Sequence, residues 1–200
     1  VLPNQEVDEI LVERGRATGV RTVHGDVYTG RRVVSNAHVW VTFLNLLRNW
    51  VPADVRSRIE RIHVGNGFGM VVRAAVDRLP EYTLSDTSAD EMHKGIQLIC
   101  PTPQYLNDAY ADYLRGEPAK DPAIVAMTFS RVDPSLAPPG KHTLFLWGQY
   151  YPYRLRDGGD WDAIAEREAR KLFSVMDRFA PGTSDQLIDM YIQTPKVIAE

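Results

Sequence analysis

Three glycines at alternate positions, Gly65, Gly67 and Gly69, stand ahead of the apolar run Met70–Val76. They raise the possibility of a phosphate-cradling loop. The dinucleotide fingerprint G-x-G-x-x-G works because a strand leads into a glycine turn that opens a helix, whose N-terminus faces the pyrophosphate. In GNGFGM the third glycine comes one place early and a strand pattern follows, so the geometry is wrong twice. These glycines are read instead as relief of crowding where the chain enters a sheet. The five histidines, His24, His38, His63, His93 and His142, include no pair at i, i+3 or i+4, and none neighbours a cysteine at ligand spacing. No metal is expected, and each is read as a turn, cap or surface residue. No G-x-S-x-G elbow is present. Cys100, followed by Pro101, reads as a small buried hydrophobe. Asp160, Asp162, Glu166 and Glu168 surround a helix start, where dipole compensation and solvation explain them. The aromatic cluster WGQYYPY, with Trp147, Tyr150, Tyr151 and Tyr153, leaves two readings open. It lines a pocket for an apolar ligand, or it packs strand-end rings on a neighbouring helix.

The elements that must position these groups follow from periodicity. Residues 7–34 alternate valine-, isoleucine- and threonine-rich stretches with glycine turns at 15 and 25, which predicts an antiparallel β-meander. VVSNA at 33–37 reads as a further strand. Trp40, Phe43, Leu44 and Leu47 stand at helical spacing, and Pro52 opens a second short helix. The clearest strand is 68–77, with Phe68, Met70, Val72, Ala74 and Val76 on a wholly apolar face. Residues 80–94 read as a polar loop, GIQLICP as a strand, and Thr102-Pro103 as the cap and first turn of a helix. AIVAMTFS and HTLFLWGQYY predict two strands joined by a proline-rich turn region. The longest helix starts at Asp160 and stops at Pro181-Gly182, before a final strand, LIDMYIQTP. The fold class expected is α+β: a meander, then a mixed, largely antiparallel sheet covered by helices on one face.

The 200 residues are 44% hydrophobic and 24% charged, with a formal net charge of −3. Nothing electrostatic points to nucleic acid, and no apolar run approaches a transmembrane span. One cysteine fits a reducing, cytoplasmic compartment. A start at Val1 fits a piece of something longer.

The stretch ILVERGRATGVRTVHGDVYTGRRVVSNA as a whole resembles the flavoprotein oxidoreductases of the phytoene desaturase and amine oxidase type. The likeness is nearest to the phytoene dehydrogenase-like branch that includes the pyridine nucleotide-disulphide oxidoreductase domain-containing proteins. VVSNA followed by TFLNLL, GKH near a strand start and a later TP extend it through nearly all the chain. The resemblance implies an FAD-dependent enzyme of two parts, of which this chain is a middle segment lacking the G-x-G-x-x-G unit. Residues 1–37 would belong to the FAD domain and 38–200 to the substrate domain. Val7 matches the strand valine beside the adenine, and Ser35, Asn36 and Ala37 match a strand end near the cofactor. Phe68, Met70, Val72, Trp147, Gln149 and Tyr151 are expected to form the substrate-pocket wall, for an apolar or amine-bearing substrate. Edges left exposed by separation from the rest of the FAD domain are expected to pair with a second copy as a homodimer. The alternative is a self-contained, non-catalytic α+β ligand-binding or interaction module.

Overall fold

The computed structural model describes residues 1–83 and 88–199, and of Phe68 and Ala89 the backbone alone. It divides into two compact units, Val1–Gly65 and Asn66–Glu200.

The first unit is built on an antiparallel meander of β1 (Val7–Glu13), β2 (Arg16–Thr22) and β3 (Val27–Thr29), in that spatial order. The two-residue turn Arg14-Gly15 has positive φ at both positions, 49° and 75°, the twist that matches a tight hairpin. Ile10 is the buried apolar anchor of this sheet. The helical segment expected after residue 38 forms over Val41–Leu46 but is wound as a π-helix, with Leu47 N–H donating to Thr42 O at 3.0 Å. Helix α1 (Ala53–Glu60) starts after Pro52 as predicted. The Trp40 indole donates to Ile59 O (2.9 Å), tying the two helical segments together. Arg48 reaches β1, donating to Asp8 O at 3.0 Å. Packing thus keeps residues 38–65 with the meander. The packing units part at 65/66, later than the 37/38 division expected from the resemblance.

VVSNA is not a strand: residues 33–37 have no strand partner among the described residues, and Val34 is 93% exposed. An extended apolar segment becomes a strand only when a neighbour takes its backbone groups. None does so here.

The second unit is a five-stranded sheet, order β5-β6-β7-β4-β8, in which every pairing is antiparallel. Its strands are β4 (Gly67–Val76), β5 (Gln97–Ile99), β6 (Ile124–Met127), β7 (His142–Pro152) and β8 (Leu187–Gln193), interleaved with α2 (Ala89–Met92), α3 (Pro103–Leu114), α4 (Phe129–Val132), α5 (Trp161–Asp177) and α6 (Pro195–Ala199). Thr102 caps α3, accepting from Tyr105 N–H at 3.1 Å, and Asp160 caps α5 by accepting from Asp162 N–H. Alternation in the strands sends Met70, Val72, Ala74, Val76, Ile124, Ala126, Leu144 and Leu146 to one face, where α5 covers them with Trp161, Ala169, Leu172, Phe173 and Met176. Each large side chain sealed there stabilises the unit by about 1.5–3 kcal/mol.

Two corrections concern the loop at 80–94. It contains the short helix α2, and its His93 is buried rather than a surface residue. The ring bridges Pro80 O (Nε2, 2.8 Å) and the Thr128 hydroxyl (Nδ1, 3.0 Å). Residues 84–87 of that predicted loop lie outside the described residues. Cys100, expected to be buried, is half-exposed.

Candidate functional site

GNGFGM acquires a structural meaning strand by strand. Asn66 acts as a surrogate strand residue: its amide donates to Arg154 O (2.8 Å) and accepts from Arg154 N–H (2.7 Å), extending the β4–β7 pairing by side chain. Gly69 lies beneath Trp147. A Cβ there would stand 1.9 Å from the indole Nε1 and 2.7 Å from Cδ1, so the bare backbone is what lets the indole lie across β4. The crowding expected to need glycine is therefore identified, and it is made by an aromatic side chain.

The sheet face away from α5 is open. Register places Leu98 (β5), Val125 (β6), Trp147 (β7), Val71 (β4) and Gln193 (β8) side by side in one row across all five strands. The next row is Met127, Phe145, Arg73 and Tyr191. Trp147 is 40% exposed, and Leu98 and Tyr191 are more so. Phe129 of α4 meets Phe145 edge-on, with centroids 5.8 Å apart. Beside them an open depression of about 530 Å³ is lined by Arg73, Ala75, Phe129, Leu136, Thr143 and Phe145, among others. An apolar floor with one cation can hold a flat or extended apolar molecule and orient one polar group on it.

The six residues expected to share a pocket wall do not share a face. Trp147 and Gln149 stand on the open face. Met70, Val72 and Tyr151 are fully buried in the core under α5. The side chain of Phe68 lies outside the described residues. Met70 and Val72 face inward because the register sets Val71, not them, opposite Trp147. For Tyr151 the cause is a bulge: between the pairs Met70–Gly148 and Phe68–Tyr151, β7 spends one residue more than β4. Tyr150 absorbs it with φ 59°, which turns Tyr151 inward onto Trp161 (5.9 Å). Tyr150 itself packs on Tyr110 and Tyr113 of α3. For these two tyrosines the helix-packing alternative describes the geometry. Val71, Arg73, Phe145 and Tyr191, which the sequence reading did not assign to a site, occupy the open face instead. Simple alternation in β7 already put Phe145 with Trp147.

Tyr151 Oη is buried without a hydrogen-bond partner, and burial pushes its phenol far above the usual range, with the Glu168 carboxylate adding to the effect. Glu168, expected to be a solvated carboxylate, is instead buried and held by Lys171 (2.6 Å) and Arg167 (2.9 Å).

In the first unit, Val7 opens β1, an outer strand whose far edge has no strand partner among the described residues. Gln5 Oε1, two residues earlier, is buried without a partner. Ser35 Oγ lies 2.7 Å from Thr42 Oγ1, and Thr42 Oγ1 donates to Ala37 O at 3.3 Å, so one hydroxyl fixes the turn 35–37. Ser35, Asn36 and Ala37 are otherwise exposed. An unpaired strand edge and an orphaned acceptor suit the hydrogen-bonding edge of a planar base, and neither provides a phosphate cradle. Among the described residues no group of three or more His, Cys, Asp or Glu could hold a metal ion, and no helix is long and apolar enough to cross a membrane.

No protein-family model matches the chain. Among curated proteins it is 33% identical over 188 residues to pyridine nucleotide-disulfide oxidoreductase domain-containing protein 2 of Mus musculus, covering 90% of this chain and 32% of that protein. It is 30% identical over 202 residues to the neurosporene-forming phytoene desaturase of Cereibacter sphaeroides, covering 98% and 36%. Among solved structures, an oxidoreductase from Methanosarcina mazei superposes with a TM-score of 0.56 at 19% identity, over 95% of this chain and 37% of that one. That likeness shows the α+β fold in common. The chain is thus homologous to a segment of these oxidoreductases and spans about a third of the length of the curated relatives it matches.

Proposed function

We propose that this chain is the substrate-side part, with a strip of the cofactor domain, of an FAD-dependent oxidoreductase of the phytoene desaturase-like type. The observation that carries the reading is the two-sided sheet: one face is sealed by α5, and the other is an open, aromatic-lined floor crossing all five strands. Homology to enzymes named as desaturases and oxidoreductases supplies the chemical class.

On this reading residues 1–37 serve the cofactor and 38–200 the substrate. The β1 edge at Val7 would meet the flavin's adenine, and the backbone of Ser35, Asn36 and Ala37 would approach it from a strand completed by the rest of the protein. Exposed Val34 supports that completion and weighs against a self-contained module. Bound there, FAD supplies the hydride-accepting chemistry, and the protein supplies orientation and dryness. Trp147, Phe145, Val71 and Val125 bind the substrate's apolar body and exclude water from it. Gln149, beside Trp147 on β7, offers a hydrogen bond for orientation. No acid, base or nucleophile is required of this segment.

The test is to purify the intact protein that contains this segment. Flavin absorbance that co-purifies, and that bleaches when substrate is added anaerobically, is the expected result. A colourless protein that takes up no added FAD refutes the proposal.

A further inference from the structure

Arg73 is the feature of the open face that an oxidoreductase for hydrocarbons does not need. It sits on β4, next to the sheet's middle strand, opposite Phe145 on one side and Tyr191 on the other, and follows Val71 on the same face. Of the eight other arginines of this unit, six, Arg115, Arg131, Arg156, Arg167, Arg170 and Arg178, are each paired with a carboxylate, and Arg78 donates to Gln186. Arg154, away from this face, shares Arg73's lack of a side-chain partner among the described residues. Arg73 has no hydrogen-bond or ion-pair partner among the described residues. Asp189 shares the face, opposite Ala75, and is not within ion-pairing distance of it.

An apolar ligand covering this floor strips water from the guanidinium. An unpaired charge desolvated in that way is costly, and the cost disappears when the ligand carries its own counter-charge. A carboxylate is the natural match, because the planar guanidinium fork binds it through two parallel hydrogen bonds. A protonated amine meets like charge instead. The rest of the floor is apolar for about 14 Å, the three inter-strand spacings that separate β4 from Leu98 on β5. From these facts we infer that the open face takes an amphiphile, with a carboxylate on Arg73 and an apolar body laid across Phe145, Trp147, Val125 and Leu98. This narrows the apolar or amine-bearing substrate to an acidic one. It rests on the reading of the open face as the substrate wall.

Dodecanoate and dodecan-1-ol are matched probes whose chains have comparable reach and differ in the head group. Calorimetric titration of the intact protein at neutral pH reads the ratio of their dissociation constants without any turnover. The expected preference for dodecanoate is about tenfold, one charge-assisted bidentate contact at a partly exposed site. Arg73→Gln brings the ratio to about one by weakening the acid and leaving the alcohol. Arg73→Lys keeps part of the preference, and Arg154→Gln, an exposed arginine elsewhere in the unit, leaves it unchanged. Thermal melts of the variants confirm folding, which a solvent-facing substitution preserves. Equal affinities in the wild type, no binding of either probe, or a preference that survives Arg73→Gln overturns the inference. Failure of the flavin reading shows separately, as a protein without flavin, and the affinity ratio still reports on the face.

Discussion

Gly69 and Trp147 provide a sharp energetic test of the open face. Adding a methyl group at 69 puts a carbon 1.9 Å from the indole Nε1, whereas comfortable contact begins near 3.5 Å. The ring must therefore retreat by roughly 1.6 Å, which means a strained rotamer or a lifted indole. Overpacking of that kind costs about 1–3 kcal/mol. Against it stands a gain of about 0.5–1 kcal/mol, because glycine within a strand is entropically poorer than alanine. Gly69→Ala is expected to destabilise the chain by up to about 2.5 kcal/mol on balance. In a Trp147→Ala background the obstacle is gone and only the gain remains, so the same substitution becomes stabilising. Denaturant melts of the four proteins of this cycle read the coupling directly, at about 1–3 kcal/mol with a reversal of sign. A coupling within about 0.5 kcal/mol of zero would mean that the indole does not rest on Gly69, and the floor would lose its centre.

Two further outcomes follow from buried groups. Tyr151→Phe removes a hydroxyl that has no partner, so stability is expected to stay level or rise by up to about 1 kcal/mol, with ligand affinity unchanged. Weakened binding in this variant would return Tyr151 to the substrate wall. The His93 imidazole is held below its usual value of 6.5, first by burial. The unfolded chain therefore takes up a proton that the folded one refuses, so the stability contributed above pH about 6.5 is lost as pH falls through the depressed folded value. Melts at pH about 7.5 and about 5.5 should differ less in His93→Gln than in the wild type, and an unchanged difference contradicts the assignment.

Where the sequence carried a strong period, the fold was readable. The alternation from Met70 to Val76 gave β4 and its buried face, Thr102-Pro103 and Asp160 marked α3 and α5, and the Arg14-Gly15 turn closed the first hairpin. The bulge at Tyr150 was not readable. Nothing in WGQYYPY signals a left-handed tyrosine, and without it Trp147, Gln149 and Tyr151 read as one face. VVSNA forms no strand here for a different reason: its composition suits a strand, but a strand is a relation between segments, and no partner lies among the described residues. His93 was misplaced because burial of an imidazole depends on Pro80 and Thr128, distant in sequence. Arg73 was visible only as the odd charge on a mixed face. Its meaning needed the register that puts Phe145 and Tyr191 on either side.

The sheet also divides the labour of mutation. Odd-numbered positions of β4 from 69 to 75 face the open floor, and even-numbered ones from 70 to 76 face the core under α5. A change at 71 or 73 can therefore retune what the floor accepts while leaving the residues that hold the unit together untouched. On the proposal that the floor takes an acid, a lineage could move to a neutral ligand through Arg73 alone, without first acquiring a stabilising compensation. Gly69 is the exception to that freedom, because on the open side it is tied to whatever aromatic ring lies above it.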